Sequence, residues 1–312
     1  MSGFIAFAII NVVVVMALAP LYISLVKKMK AFLQGRKGPG LLQAYYSLWK
    51  LFKKEVVYSS NSSFIMRVAP YISIISALVA ALFVPLLFIP DDYSGFGNII
   101  LLLYILAVGK FFMALGGLDA GSAFGGMGSS REMSISSMVE PVVIVLFAAI
   151  AFVFRSTNLF EILREASHGL GGYASLWLLL IPLVIVLLTE TARIPIDNPE
   201  THLELTMVHE AMILEQSGRN LALLEIASAI KQLLLMGIII NLFMPMGFNL
   251  QVLFPAGILI AFGAFAIKGA FLAASIGVIE SSVAKLRLFR LPNLFALSFF
   301  LSVVTIMMEV LL

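Results

Sequence analysis

The sequence contains no cysteine, only three histidines and few charged residues. Without thiolates, this chain cannot hold a disulfide, a thiolate-bound zinc ion or an iron–sulfur cluster. The histidines are scattered, and Ile213 stands where an H-E-x-x-H zinc motif starting at His209 would need its second histidine. Charged residues make up 12% of the 312 residues, hydrophobic residues make up 61%, and the mean hydropathy is +1.07. These values exclude a soluble domain and predict a polytopic membrane protein with no metal site of its own.

Runs of about 20 apolar residues predict eight transmembrane helices, each long enough to cross a bilayer. They lie near residues 3–26, 68–90, 98–118, 132–154, 174–193, 220–245, 253–284 and 293–312. The predicted fold class is an all-α membrane protein, with a tilted bundle of eight transmembrane helices and amphipathic segments on the cytoplasmic side. The chain shows no internal repeat, and residues 1–312 are expected to form a single integral membrane domain.

Lysine and arginine are concentrated in alternate loops. Fifteen of the twenty border the loops on one side of the bundle, and two border the loops on the other side. The positive-inside rule places the basic loops in the cytoplasm and both termini outside. The predicted cytoplasmic loops are 27–67, 119–131, 194–219 and 285–292. In the first of them, residues 41–55 have apolar positions at helical spacing and end in lysines, which predicts an amphipathic helix at the lipid interface.

Basic side chains in or beside these loops are candidates for contacting anionic lipid or the acids of a docked soluble subunit. The candidates are Arg36, Lys37, Arg131, Arg193, Arg287 and Arg290.

Several ionisable residues fall inside the predicted spans. They are Glu140, Glu190, Glu225, Lys231, Lys268 and Glu280. A charge near the centre of a transmembrane helix is costly, so such side chains are expected to face the bundle interior and to find partners. Glu225 and Lys231 point about 120° apart on one helix, and each therefore needs a partner on another helix. Two interpretations follow: structural ion pairs between helices, or a series of proton carriers from the cytoplasmic side toward the bilayer centre.

The segment 189–218 gathers six acids within thirty residues of an otherwise apolar chain. These acids are Glu190, Asp197, Glu200, Glu204, Glu210 and Glu215. Asn198 followed by Pro199 is typical of a helix start, and Gly218 is typical of a stop, so a short helix is predicted over 199–216. The pattern fits a solvated amphipathic loop helix as well as it fits an acidic site.

The glycine-rich stretch SAFGGMGSS at 122–130 is not a phosphate-binding loop, because no Lys-Ser or Lys-Thr pair follows it and no strand precedes it. Its glycines predict a place where backbones pack closely or bend.

Motifs from near one end of the chain to the other resemble those of the membrane subunit shared by respiratory complex I and the energy-converting membrane-bound NiFe hydrogenases. They are GRKGPGLLQ at 35–43, SSMVEPV at 136–142, ETARIPIDNPE at 190–200, LEL at 203–205, EQSG at 215–218 and LRLFRLP at 286–292. The combination is specific, although GRKGPG alone would be weak.

In complex I, a quinone enters between this subunit and the peripheral arm, and the subunit's acids begin a proton path, the E-channel, toward antiporter-like subunits. The resemblance implies that Glu140, Glu190, Asp197, Glu200 and Glu204 belong to such a path or to its mouth. With the other ionisable residues, the candidate proton path comprises Glu140, Glu190, Asp197, Glu200, Glu204, Glu210, Glu215, Glu225, Lys231, Lys268 and Glu280.

The resemblance also implies partners and cofactors. The expected partners are soluble hydrogenase-like large and small subunits, antiporter-like membrane subunits and lipid, with no nucleic acid. No cofactor is expected in this chain, whereas partner subunits are expected to carry iron–sulfur clusters and, in the hydrogenase branch, a NiFe centre. The expected location is the cytoplasmic membrane.

Residues 117–132 and 201–218 resemble the hydrogenase branch, which includes formate hydrogenlyase, and His202 occupies a position that is acidic in complex I. The favoured function is a non-catalytic subunit that anchors a redox arm and couples it to proton or sodium movement. Three alternatives stay open: a stand-alone ion or solute transporter, the quinone-binding subunit of a complex I-like NADH dehydrogenase, and a structural anchor whose acids only pair. A transporter would be expected to have interrupted helices and internal symmetry, and the sequence pattern shows neither.

Overall fold

The computed structural model describes residues 2–90, 96–169, 173–198, 207–248 and 256–311. Within these ranges the regular structure is helical, and the one β-bridge pairs Asn98 with Asn158. The helices are α1 (Ser2–Leu33), α2 (Gln43–Phe52), α3 (Phe64–Ala81), α4 (Ile99–Asp119), α5 (Ala123–Val153), α6 (Leu159–His168), α7 (Leu180–Glu190), α8 (His209–Ile213), α9 (Gly218–Phe243), α10 (Ala256–Ser282) and α11 (Leu291–Leu311). Short 3-10 turns, Ala174–Leu179 and Leu288–Arg290, lead into α7 and α11.

Seven described helices (α1, α3, α4, α5, α9, α10 and α11) are long and apolar enough to cross a membrane. A shorter apolar segment, Ala174–Glu190, corresponds to the fifth predicted span and contains α7. The predicted all-α membrane fold is therefore confirmed, and the eight-span count is consistent with it. We call the side that carries α2, α8 and the loop 283–290 the basic side of the bundle.

Helix α9 is the central helix of the bundle. In its most apolar stretch 72% of the residues are buried, compared with 22% for both α4 and α11. It packs against α1, α2, α3, α6, α7 and α10. The central stretch of α9, which carries Lys231, therefore lies among other helices rather than against lipid.

The boundaries of two spans differ from the prediction. The fourth begins at Ala123 rather than near residue 132, because Ser122 caps it by accepting a hydrogen bond from the Gly125 amide at 3.0 Å. Most of the loop predicted over 119–131 is thus helix. The second span ends at Ala81 rather than near residue 90, and residues 82–90 leave the helix because two prolines interrupt the hydrogen-bond ladder there.

The interrupted segment 82–90 is buried, and side chains from other helices satisfy its backbone. Asn11 donates from Nδ2 to the carbonyls of Ala81 at 2.6 Å and Val84 at 2.9 Å, while Asn241 donates to Pro85 O at 2.9 Å. Irregular backbone at membrane depth is tolerated where protein satisfies its polar groups. The sequence pattern did not predict this interruption.

Glycines bring α4, α5 and α8 into close contact. A Cβ on Gly128 would lie 2.8 Å from Ala211 Cβ and 2.9 Å from the Met212 amide nitrogen. A Cβ on Gly117 would lie 3.2 Å from Met212 Cα. The prediction that glycines of 122–130 allow close backbone packing is confirmed, and the packing holds α8 against the interior of the bundle.

The amphipathic helix predicted within 41–55 is present as α2, which contacts α1 and α9 on the basic side. None of its residues is fully buried, and Tyr46 and Trp49 are exposed. This arrangement is typical of a helix lying along a lipid interface.

Candidate proton-transfer site

The centre of the site is a buried carboxylate shared by two lysines from different helices. Glu190, the last residue of α7, accepts a hydrogen bond from Lys110 Nζ of α4 at 2.5 Å. Its second oxygen, Oε2, pairs with Lys231 Nζ of α9. The three side chains are between 10% and 17% exposed. Because buried charges must be compensated, this triad joins three helices.

Helices α3 and α4 pack tightly at Gly109, the residue before Lys110. A Cβ on Gly109 would lie 2.2 Å from Ser76 Oγ, so only glycine fits there without displacing that side chain. Sequence reasoning missed Lys110, although a lysine within the predicted third span was a sufficient signal. The expectation that Lys231 needs a partner on another helix is confirmed by its pairing with Glu190.

A small cavity, which we call the inner cavity, adjoins this triad. Its volume is about 50 Å³, enough for a few water molecules, because one water needs about 10–15 Å³. Its ionisable walls are Lys110, Glu132, Glu190, His209 and Lys231. Sequence reasoning did not select Glu132, because the helix was predicted to begin there, or His209, which was considered only as the start of an H-E-x-x-H zinc motif.

A larger cavity of about 360 Å³, the basic-side cavity, lies between α1, α2, α8 and α9. It is lined by apolar and uncharged polar residues and by four charged residues: Lys27, Arg193, Glu210 and Glu225. It shares four wall residues with the inner cavity: Ala192, His209, Leu224 and Ser228. His209 therefore stands between the two cavities.

A third cavity of about 220 Å³ lies on the other flank of the triad, and we call it the membrane-face cavity. It shares Leu106, Lys110 and Glu190 with the inner cavity, and Glu140 lines its wall. Glu140 is exposed on this chain, and the neighbouring wall residue Tyr104 is 68% exposed. The three cavities thus share walls in sequence from the basic side to the outer surface of the bundle.

Burial changes the protonation behaviour of the two ionisable residues at the start of α8. Burial lowers the pKa of His209, although Glu210 and Asp197 act in the opposite direction. Burial also raises the pKa of Glu210, with His209 opposing. A neutral imidazole has one donor and one acceptor nitrogen, so His209 can accept a proton on one face and release one from the other.

Glu280 and Arg193 form a separate buried ion-pair group at the basic ends of α1, α7 and α10. Arg193 Nη1 lies 3.1 Å from Glu280 Oε1, and Lys30 Nζ lies 3.7 Å from Glu280 Oε2. Gln232 accepts a hydrogen bond from Arg193 at 2.8 Å. Arg193 was predicted to dock a soluble arm, but it is only 6% exposed and faces these partners. That part of the docking prediction is wrong, since the local sequence does not reveal the turn that buries the guanidinium.

Some predicted path residues lie apart from the three cavities. Lys268 donates to the carbonyls of Met244 at 2.8 Å and Met246 at 2.9 Å, just beyond the end of α9 far from the basic side. There it compensates the negative end of the helix dipole, and its place in a proton path stays a prediction. Glu215 lines none of the three cavities.

The predicted helix over 199–216 is found only in part. Within the described residues 207–216 the helix covers His209–Ile213. Glu200 and Glu204, together with residues 199–206, lie outside the described residues.

The remaining docking candidates are on the basic side. Arg36, Lys37, Arg287 and Arg290 are exposed, whereas Arg131 is half-buried and donates to the Met207 carbonyl at 2.9 Å. Their contact with a soluble subunit stays a prediction. In the part of the chain that the structure describes, no group of three His, Cys, Asp or Glu side chains could hold a metal ion.

Comparisons with known proteins identify the family. Residues 5–310 match the family described as NADH dehydrogenase. The chain is 34% identical to hydrogenase-4 component C of Escherichia coli over 241 residues, covering 77% of this chain and 76% of that protein. It is 30% identical to formate hydrogenlyase subunit 4 of the same organism, covering 92% and 93%. It is also 29% identical to an NADH-quinone oxidoreductase subunit of Bartonella bacilliformis, covering 59% and 58%.

A solved structure shows the same fold. A chain of the membrane-bound sulfane sulfur reductase, an archaeal respiratory membrane complex, superposes with a TM-score of 0.82 at 15% identity, covering 98% of this chain and 99% of that one. The relatives are named as components or subunits of larger complexes. The chain therefore belongs to the NADH dehydrogenase family, as a multi-pass membrane subunit of a multisubunit complex of the hydrogenase and respiratory type.

Proposed function

We propose that this chain couples electron transfer in a docked soluble arm to proton movement within the membrane. The observation that supports this most strongly is the series of three cavities with shared walls, which runs from Glu210 and Glu225 on the basic side to Glu140 on the bundle surface. Ionisable residues therefore line a route between these two surfaces.

In this proposal a proton enters the basic-side cavity and reaches the inner cavity through His209. Protonation of Glu190 would leave Lys110 and Lys231 without their shared counter-charge. Release of a proton from Lys110 toward the membrane-face cavity relieves the excess positive charge. Uptake on one side and release on the other are thus linked through electrostatics, without any redox centre in this chain.

Glu140 is the exit of the proposed path. An exposed carboxylate on the membrane-facing surface of a bundle is costly unless another protein group faces it. We infer that an antiporter-like membrane subunit covers Glu140 in the assembled complex and accepts the proton there. Sodium movement would then be an indirect consequence in that partner.

The partners and sidedness follow from the same proposal. The soluble large and small hydrogenase-like subunits, with iron–sulfur clusters and a NiFe centre, dock on the basic side, which faces the cytoplasm, and both termini face outward. The resemblance of 117–132 and 201–218 to the hydrogenase branch supports this choice of arm, as do the two Escherichia coli relatives named for hydrogenase and formate hydrogenlyase.

Quinone binding is the second candidate function, and the basic-side cavity favours it. The cavity lies beside the amphipathic helix α2 and has both apolar and polar wall residues, including Ile23, Leu48 and Gln43. A requirement for added quinone in electron transfer by the purified complex would favour this candidate over the hydrogenase-type arm.

Replacement of His209 by Gln tests the proposed path. Gln retains hydrogen bonding but cannot carry a proton charge. Because a positioned proton-transfer group typically contributes about 10²–10⁴-fold to the rate, we expect proton transport by the reconstituted complex to fall by at least about tenfold. The measurement is redox-driven acidification or alkalinisation of proteoliposomes containing the whole complex.

The matched control is His168→Gln, since His168 is exposed at the end of α6, far from the three cavities. Co-purification of all subunits verifies assembly of each variant. Parental proton transport in the His209 variant would show that protons do not pass at this wall.

A further inference from the structure

We propose that Asp197 is a positioning residue that fixes α8, and with it His209, to the basic loop 285–290 through Lys285. The inference concerns the mechanical link; its consequence for proton transport rests on the proposed function. It also gives Asp197 a role different from the proton carrier that the sequence motif implied.

All acceptor positions of the Asp197 carboxylate are occupied. The donors come from segments that precede and follow residues 199–206 in the sequence. Oδ1 accepts from the Asn198 amide at 2.8 Å and from Lys285 Nζ at 2.6 Å. Oδ2 accepts from the amides of Val208 at 3.3 Å and His209 at 3.1 Å. The residue is 1% exposed.

This geometry matches the acceptor capacity of the Asp197 side chain. A carboxylate offers about four lone-pair sites, and four donors are present. A proton on either oxygen would displace one of them and leave a buried donor unsatisfied, which is costly. Asp197 is therefore suited to hold its neighbours in place rather than to pass protons between the cavities.

The link to the basic loop consists of two contacts. Besides the Lys285–Asp197 ion pair, the Leu286 amide donates to the Pro195 carbonyl at 2.9 Å. The next residues of the loop include exposed Arg287 and Arg290, the predicted docking residues. A displacement of this loop would reach the start of α8, where His209 separates the basic-side cavity from the inner cavity.

The test compares Asp197→Asn, Lys285→Gln and the double variant in the whole complex. The primary readout is amide hydrogen exchange of residues 207–213. Loss of a hydrogen bond to a charged group corresponds to roughly a tenfold to hundredfold change in an opening equilibrium, so each single variant should exchange at least about tenfold faster there. Because both changes break one link, the double variant should exchange no faster than Asp197→Asn alone.

Two further variants serve as controls. Lys285→Arg keeps the charge and should retain near-parental exchange at 207–213. Asp119→Asn removes a similar carboxylate, which accepts from the Ser63 and Met66 amides at 2.9 Å each, so its donors belong to the start of α3 rather than to the basic loop. It should leave exchange at 207–213 unchanged.

Parental exchange in Lys285→Gln would overturn the link, and this variant keeps the test valid if Asp197→Asn does not assemble. Loss of proton transport in Asp197→Asn alone, with parental transport and exchange in Lys285→Gln, would show instead that Asp197 is a proton carrier. Amide hydrogen exchange is measured independently of proton transport. If the parental complex moves no protons, the proposed function is contradicted, but the link between Asp197 and Lys285 is not.

Discussion

Replacing Glu190 by Gln should abolish proton transport and also destabilise the assembled complex. Glu190 is the shared counter-charge of Lys110 and Lys231, and its removal leaves two buried ammonium groups without it. Breaking a buried ion pair by removing one partner costs about 3–5 kcal/mol. The measurements are thermal stability of the purified complex and redox-driven proton transport after reconstitution.

A second substitution separates charge imbalance from loss of the proton carrier. In the double variant Glu190→Gln with Lys110→Gln, one lysine is removed with the acid, so much of the lost stability should return while transport stays absent. A Glu190→Gln complex as stable as the parent would mean that water or another subunit compensates the lysines. Restored transport in the double variant would exclude Glu190 from the path.

Replacing Glu280 by Gln should also cause a large loss of stability but, unlike Glu190→Gln, little loss of transport per assembled complex. Glu280 is 4% exposed and compensates both Arg193 and Lys30, so its removal should also cost about 3–5 kcal/mol. It lines none of the three cavities. Glu280 was grouped with the proton path on sequence grounds, and this experiment decides between that role and a structural one.

The readouts are the melting temperature of the complex and transport normalised to the amount of assembled complex. Glu55→Gln is the control, because Glu55 is an exposed acid on the basic side. Unchanged stability with lost transport in the Glu280 variant would show that Glu280 belongs to the proton path.

Most of the fold could be predicted because hydropathy reports the main requirement of a bilayer, which is about 20 apolar residues per helix. The same measure failed at 82–90, where LFVPLLFIP is as apolar as a helix although Pro85 interrupts it. It also placed the start of α5 too late, because the polar, glycine-rich residues after Ala123 lower hydropathy without preventing a helix.

The candidate site could be predicted only in part, for a different physical reason. Spacing along one helix showed that Glu225 and Lys231 could not pair with each other, but the identity of a partner depends on how helices pack. The meeting of Glu190 with Lys110 depends on how α4 and α7 lie relative to each other in the bundle. Burial of Arg193 and the four donors around Asp197 likewise come from turns and contacts between distant segments.

The most direct measurement of the central claim is the number of protons transported per electron by the reconstituted complex with Glu140→Gln. Glu140 is exposed on this chain and lines the membrane-face cavity, so its replacement removes a titrating group without leaving a described ion pair broken. Glu55→Gln provides the matched control.

We predict that the Glu140 variant assembles with all its subunits, while the ratio of protons to electrons falls by at least about tenfold, as expected for the loss of a proton-transfer group. The control should keep the parental ratio. A parental ratio in the Glu140 variant would contradict the account, because protons would then cross without using the exit to which the three cavities lead.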